Sequence, residues 1–382
     1  MKFTKLSLIT ALTLSVAVAG GDIAPVEPAV EAPAAKVACD SNTIINGKLT
    51  GYYYTDDAVD LFDQDSSELA FAATLDVTHK FNENIAMNFS AVGFLNTIKR
   101  GYEMEGTDNG AYFNVANLTA TYTDTTFVLG RQLLDTPMLG GFDWLLAPGA
   151  FEAYTVANNS FENVTLVGSY VRTWRRNNTG NEWIDLTDID DGNNWTLGAA
   201  YDNKTLSGSI WYYNVDAGSA VRPDKYAQIY VDAGYNFGSV QVATQYANTD
   251  YDTANDSDLY GVKIAGELAG FNLMAAYVNI SDNVAGYIGR DGVYTSSWNT
   301  MTSNSMGDAY KVEAATEFSG LSATASYAYY EYEQGADEGH EFDLILGYGF
   351  TNCISADLIY SNTNYGEADD INALELVATY KF

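Results

Sequence analysis

The chain has 382 residues; 14% are aromatic, with 29 Tyr and 17 Phe, and only 18% are charged, against about a quarter in soluble proteins. Its 50 acidic side chains against 18 basic ones give a formal charge of −32. That balance excludes a nucleic-acid binder resting on phosphate contacts, which needs basic stripes; a soluble acidic protein dispersed by self-repulsion is the alternative against which the rest of the chain is read.

The N-terminus reads as a secretory signal over residues 1–19. Lys2 and Lys5 form a basic region, Leu6 to Val18 is apolar, and Ala17-Val18-Ala19 is a small-x-small cleavage site. The apolar run is too short for a transmembrane anchor, and no later segment reaches 18 apolar residues. An exported chain of this kind spans a membrane only as a closed barrel. Residues 20–43, rich in Ala and Pro, read as an extended periplasmic tether.

From Ile44 onward, segments of about ten residues alternate with period two and are separated by turn residues, the signature of a transmembrane β-barrel. In Glu68–Lys80, Leu69, Phe71, Ala73, Leu75 and Val77 share one face, while Ala70, Ala72, Thr74, Asp76 and Thr78 share the other. In His340–Phe350, Phe342, Leu344, Leu346 and Tyr348 oppose Glu341, Asp343, Ile345 and Gly347. A sandwich would load its outer face with charge; here the second face is small and polar, as a wet lumen would be. The alternation predicts strands at 44–54, 68–80, 85–95, 112–123, 126–131, 151–158, 162–173, 193–202, 205–214, 226–236, 239–248, 258–267, 270–279, 308–318, 321–332, 340–350, 353–361 and 371–382. These eighteen give an all-β, antiparallel transmembrane barrel over residues 44–382. Short turns alternate with long connections, which predicts periplasmic turns at one end and external loops at the other. The connection 280–307, with Gly, Ser, Asn and Thr throughout, is expected outside, where it would suit an adhesin as well as a channel.

The last strand sets Leu374, Leu376, Ala378, Tyr380 and the terminal Phe382 on one face. A terminal aromatic on an alternating strand resembles the signal that barrel assembly machinery reads. Cys39 precedes the first strand and Cys353 begins the seventeenth, so both lie at the periplasmic rim, and an oxidising compartment predicts a disulfide between them.

The segment Gly130-Arg131-Gln132-Leu133-Leu134-Asp135-Thr136-Pro137-Met138-Leu139, then Phe142-Asp143-Trp144-Leu145-Leu146-Ala147-Pro148 and Phe151-Glu152, resembles the OprD-type porins, and more nearly the Opr-family major porins of epsilon-class proteobacteria. The resemblance implies an eighteen-stranded, often trimeric outer-membrane porin whose third loop, here 132–150, folds into the lumen. The family commonly has Arg before Leu-Leu-x-Pro, where this chain has Trp144. The residues agree in part: Pro137, Gly140 and Gly141 break any strand, and Met138, Leu139, Phe142, Trp144, Leu145 and Leu146 are too apolar for a loop in water.

A porin eyelet sets basic wall residues across from acidic loop residues. The candidates are Arg131, Arg172 and Arg175 against Asp135 and Asp143. Alternatives stay open at each. The two acids either project into the lumen or cap local turns. Arg131 shares its phase with Phe127 and Leu129, so it either turns inward at an irregularity or sits at the rim. Arg175 and Arg176 either line the pore or contact lipopolysaccharide phosphates or loop acids.

The expected function is passive diffusion of ions and small hydrophilic solutes, mildly cation-preferring because acids crowd the long connections. Outer-membrane lipids and lipopolysaccharide surround such a barrel, and no nucleic acid is expected. No cofactor is expected; loop acids such as Asp188, Asp190 and Asp191 could hold Ca²⁺ or Mg²⁺ but read better as solvated charge. A barrel-embedded hydrolase needs His beside a nucleophile, and His79 and His340 fall at opposite ends of their strands.

Overall fold

The computed structural model describes residues 42–98, 109–141, 146, 148–175, 183–185, 193–216, 224–333, 338–366 and 369–382. The signal segment 1–19, the tether through residue 41 with Cys39, and Asp143, Trp144 and Arg176 lie outside these residues. Eighteen long antiparallel strands form one sheet that closes on itself. They are β1 Thr43–Asp56, β2 Ser67–Lys80, β3 Ile85–Ile98, β4 Asn109–Tyr122, β5 Thr125–Gln132, β6 Ala150–Phe161, β7 Val164–Arg175, β8 Asn194–Asp202 and β9 Leu206–Val215. The second half holds β10 Tyr226–Asn236, β11 Val240–Tyr251, β12 Ser257–Leu268, β13 Phe271–Ser281, β14 Gly307–Phe318, β15 Leu321–Tyr332, β16 Glu338–Gly349, β17 Ile354–Asn364 and β18 Ile371–Lys381.

Each strand pairs with its sequence neighbours, and β1 pairs with β18, with Gly51 opposite Ala378 and Leu49 opposite Tyr380. Beyond the strand, Phe382 and Gly47 exchange both backbone hydrogen bonds, at 2.8 and 2.9 Å. Closure leaves no edge strand, the condition for crossing hydrocarbon. Among the described residues no helix is long and apolar enough to cross a membrane.

Turn chemistry sets the short-turn end. Ala269 and Gly270, and again Ser319 and Gly320, both have positive φ, the two-residue hairpin turn whose twist matches that of the flanking strands. The predicted turn at 159–161 lies instead at Glu162 and Asn163, so β7 starts at Val164, two residues later than expected. Asn163 takes φ 61° there, a conformation Asn tolerates better than most residues.

The alternation divides every strand. Phe71, Leu75, Leu197, Ile210, Val242, Val262, Ile264, Val312, Leu358 and Leu376 are large, apolar and exposed, while their sequence neighbours, Asp76 apart, are buried or half-buried. The apolar set therefore faces outward, a surface that acyl chains rather than water match. A repeated clamp marks its upper border, toward the long loops. Tyr246 and Asn248 both donate to Asp258, Tyr277 and Asn279 both donate to Asp308, and Tyr360 and Asn362 both donate to Asn372. Each clamp is a Tyr-x-Asn on a rising strand and an Asp or Asn on the next. An aromatic ring with a wet tip suits a membrane interface.

Charge on the outward belt and charge in the lumen should therefore have different effects. Val262→Arg, at the middle of the outward face of β12, is expected to cost about 2–4 kcal/mol of folding free energy. Asn272→Arg, exposed on the inward face of β13, should change it by less than about 0.5 kcal/mol. Urea titrations of folding into lipid vesicles measure both; equal losses would contradict this assignment of faces.

Candidate functional site: two loops inside the barrel

Among the described residues two connections turn inward, one more than the sequence suggested. The first, residues 133–149, follows β5. Leu134, Met138 and Leu139 are buried in it, and Asp135–Thr136 and Leu139–Gly140 form a small hairpin. The second, residues 282–306, follows β13 and was expected outside. The structure corrects that expectation: Ala285, Tyr287, Ile288, Val293, Tyr294 and Trp298 are all buried in it. The two loops join each other. Ile288–Gly289 runs parallel to Leu139–Gly140, with Ile288 N–H donating to Met138 O at 3.0 Å and Arg290 N–H to Gly140 O at 2.9 Å. Gly289 has φ 79° and lies against the Gly140 carbonyl, so a side chain there would be strained and crowded at once.

The walls hold the second loop along its length. Gln228 on β10 donates to Gly286 O at 2.8 Å, and Tyr251 on β11 donates to Val284 O at 2.9 Å. Lys311 on β14 is buried and sends its ammonium to Ser296 O at 2.9 Å. The Tyr294 ring lies under the Lys263 ammonium of β12, 4.4 Å from it. At the far side of the lumen three inward carboxylates receive the loop tip. Trp298 donates its indole N–H to Glu375 at 2.7 Å, where Tyr52 of β1 also donates at 3.0 Å. Trp298 N–H reaches Asp343 at 3.4 Å, and Asn299 N–H reaches Glu341 at 2.6 Å. Leu146 of the first loop and Trp298 belong to one apolar cluster with Tyr52, Phe94, Tyr112 and Ile345.

The residues proposed for an eyelet fall in three places. Asp135 does face an arginine, but it is Arg290 of the second loop, at 3.1 Å; both side chains are about a quarter exposed, at 25% and 22%, so the pair opens on the lumen. Arg131 and Arg172 are not in the lumen. They keep the outward phase of Leu129 and Tyr170, one step beyond the apolar belt, because the irregularity at Gly130 (φ 115°) does not exchange faces. Arg131 stacks over Trp183 at 4.2 Å, and Arg172, 43% exposed, pairs with Glu152 at 3.1 Å. Arg175 is fully buried in the wall. Its Nε donates to Asn114 at 2.9 Å, an Nη donates to Pro148 O at 2.5 Å, and its guanidinium lies over Tyr112 at 4.3 Å. It staples the end of the first loop. Asp143 lies outside the described residues. Among the described residues no group of three or more Asp, Glu, His or Cys side chains is placed to hold a metal ion.

Sequence reasoning missed Arg290, Trp298 and the three carboxylates as one assembly. Glu341, Asp343 and Glu375 were legible as inward-phase acids. What the sequence did not reveal is which loop meets them, although the spread of Tyr287, Ile288, Val293, Tyr294 and Trp298 through 282–306 was the same signal that turned 133–149 inward.

Asp291, inside the second loop, accepts from Ser296 Oγ at 2.7 Å and Ser303 N–H at 3.0 Å. Burial pushes its carboxyl above the usual carboxylate range, and those hydrogen bonds offset part of the shift. A raised native value means that the protonated form favours the seated loop. That contribution is complete below the unfolded value of about 4 and is lost as pH rises through the raised one. Asp291→Asn should therefore weaken the pH dependence of loop protection, read by amide hydrogen exchange over residues 286–303 after correction for intrinsic rates. Trp298→Ala should lower the same protection by about 3–5 kcal/mol, the usual cost of emptying an aromatic site.

No protein-family model and no curated protein matches the chain. Solved structures do. The outer membrane protein OpdK from Pseudomonas aeruginosa superimposes with a TM-score of 0.75 at 16% identity, over 89% of this chain and 98% of that one. A BenF-like porin from Pseudomonas fluorescens Pf-5 gives 0.75 at 14%, over 90% and 99%. OccAB4 from Acinetobacter baumannii gives 0.73 at 14%, over 90% and 98%. The chain thus has, over nearly its whole length, the closed eighteen-stranded fold of these OprD/Occ-type porin structures.

Proposed function

We propose that the chain is an OprD-type porin of a Gram-negative outer membrane, giving passive passage to ions and small hydrophilic solutes with a mild preference for cations. The observation that carries this reading is a closed barrel, apolar outside, narrowed from within by two interlocked loops whose Asp135–Arg290 pair opens on the lumen. The likeness of residues 130–152 to major porins of epsilon-class proteobacteria belongs to the same reading. Cation preference is supported by the excess of 50 acidic over 18 basic side chains, with the acids crowded in the long connections. A homotrimer, lipopolysaccharide contact and delivery through Phe382 to the assembly machinery are part of the proposal. So is the Cys39–Cys353 disulfide: Cys353 lies in the turn between β16 and β17, where its carbonyl accepts from Lys381 N–H at the short-turn end. Full labelling of both thiols in purified, unreduced protein would rule that bond out.

Planar-bilayer recording tests the central claim. Stable ohmic steps are expected, with a reversal potential under a KCl gradient that reports cation selectivity; an anion preference would overturn the carboxylate assignment, and silence would favour a surface-structural role. Asp135→Asn should shift selectivity toward anions and Arg290→Gln toward cations. Each shift should stay within about fivefold in permeability ratio, because one unit charge near a water-filled lumen is worth about 1 kcal/mol.

A further inference from the structure

Glu341 and Asp343 stand side by side on the inward face of β16, with exposures of 0% and 1%. An ionised carboxylate only accepts hydrogen bonds. Each has one oxygen satisfied: Glu341 Oε1 by Asn299 N–H, and Asp343 Oδ2 by Ser326 Oγ at 3.1 Å and Trp298 N–H. The other oxygens, Glu341 Oε2 and Asp343 Oδ1, are sealed from solvent and have no hydrogen-bond partner among the described residues; the one hydroxyl beside Glu341, that of Thr300, is itself unpartnered and can serve only one of the two. Two residues apart on one face of the strand, Glu341 and Asp343 set their carboxyl groups side by side.

Two negative charges in that arrangement would be destabilised twice, by loss of hydration and by each other. The groups packed around them do not cancel this. Lys311 of β14 faces Asp343, but its ammonium hydrogen-bonds to Ser296 O and lies 3.6 Å from Glu313. Glu375 of β18 adds a third carboxylate. Tyr330 and Tyr332 of β15 and Tyr365 of the loop after β17 bring phenols, not cations. One proton resolves the conflict, because a carboxylic O–H on either residue donates to the orphan oxygen of the other and converts two unsatisfied acceptors into one hydrogen bond.

We infer that Glu341 and Asp343 hold a single shared proton, and that this proton allows the 282–306 loop to seat its Trp298–Asn299 tip on the wall. When it leaves to solvent as pH rises, two buried charges remain under the tip, water must reach them, and the tip lifts. The seam therefore loosens at alkaline pH and tightens at acidic pH. The consequence for conductance rests on the porin reading; the proton itself does not.

The test uses the full-length barrel in lipid vesicles, in an Asp291→Asn, Glu375→Gln background so that the loop's own buried acid and the third carboxyl under its tip do not contribute. Infrared difference spectra at neutral pH should show the carbonyl stretch of a protonated carboxyl that disappears in both Glu341→Gln and Asp343→Asn. Hydrogen exchange over residues 296–303, corrected for intrinsic rates, should accelerate by about tenfold per pH unit once the proton begins to leave, the slope for release of one proton. In Glu341→Gln the amide donates in place of the shared proton, so that slope should vanish while the loop stays seated. Loss of no carboxyl band in either variant, or the same slope in parent and Glu341→Gln, would overturn the inference. The two substitutions back each other up should one prevent folding, which heat-dependent gel mobility reports. In bilayers, conductance should rise with pH in parallel; a flat conductance beside the expected spectra overturns the gating consequence alone, and no conductance at any pH refutes the porin reading while the spectra still decide the proton.

Discussion

A backbone that crosses hydrocarbon must satisfy every N–H and C=O within the protein, since no water is present to do so. For a chain of strands the only solution is to join the first to the last, and the β1–β18 ladder does that here. The rest of the architecture depends on this pairing. It removes the edges and makes inside and outside different solvents. Once they differ, the period of two in each strand assigns every side chain to one of them. Val262 and Lys263 are adjacent in sequence, yet one belongs to the apolar belt and the other lies against Tyr294 in the lumen.

The same rule explains where charge is permitted. Arg131 and Arg172 keep the outward phase and are tolerated because they stand beyond the aromatic row, where an interface accepts charge at a cost of about 0–1 kcal/mol rather than the 2–4 of the midplane. Their partners, Trp183 and Glu152, lie on the same face. Arg175, past the irregularity between Glu152 and Ala153 in the β6–β7 pairing, is buried, and its donors are used on Asn114 and Pro148. Three arginines close in sequence to the first loop thus occupy outer rim, outer rim and wall, and a fourth, Arg290, 155 residues beyond Asp135, faces that acid in the lumen.

The barrel was legible because its signal is repeated in every strand and each repeat is local. Tyr226–Asn236 and Leu321–Tyr332 match the expected bounds, and elsewhere the ends differ by a few residues where a turn such as Glu162–Asn163 competes with its neighbours. The lumen was less legible because it is made by contacts between distant segments. Periodicity places Glu341, Asp343 and Glu375 inward, but nothing local to β16 or β18 shows that Trp298 will reach them. Composition misled at 282–306, where Gly, Ser, Asn and Thr suggest a solvated loop. Those small polar residues instead satisfy one another and the walls, as Thr295 with Thr302 and Ser296 with Asp291 do, while the interspersed aromatics take the apolar contacts.

That mixed composition has an energetic consequence for the pore. A loop held only by apolar burial would need an apolar wall, which a water-filled channel could not wet. A loop held only by polar contacts would gain little over water, since each such bond exchanges for one with solvent at a net of about 1 kcal/mol. Here Trp298 brings a large apolar ring and an indole donor to a wall of carboxylates. Hydrocarbon burial favours the seated loop, and the desolvation of Glu341, Asp343 and Glu375 opposes it, since buried charge costs more than its contacts return unless every oxygen is met. The balance between two large terms of opposite sign is small, so a change of one proton or one side chain at the seam is enough to move it. The position of the loop tip is set at that seam, between a wall fixed by closure and a ring whose seating depends on how those carboxyl groups are met.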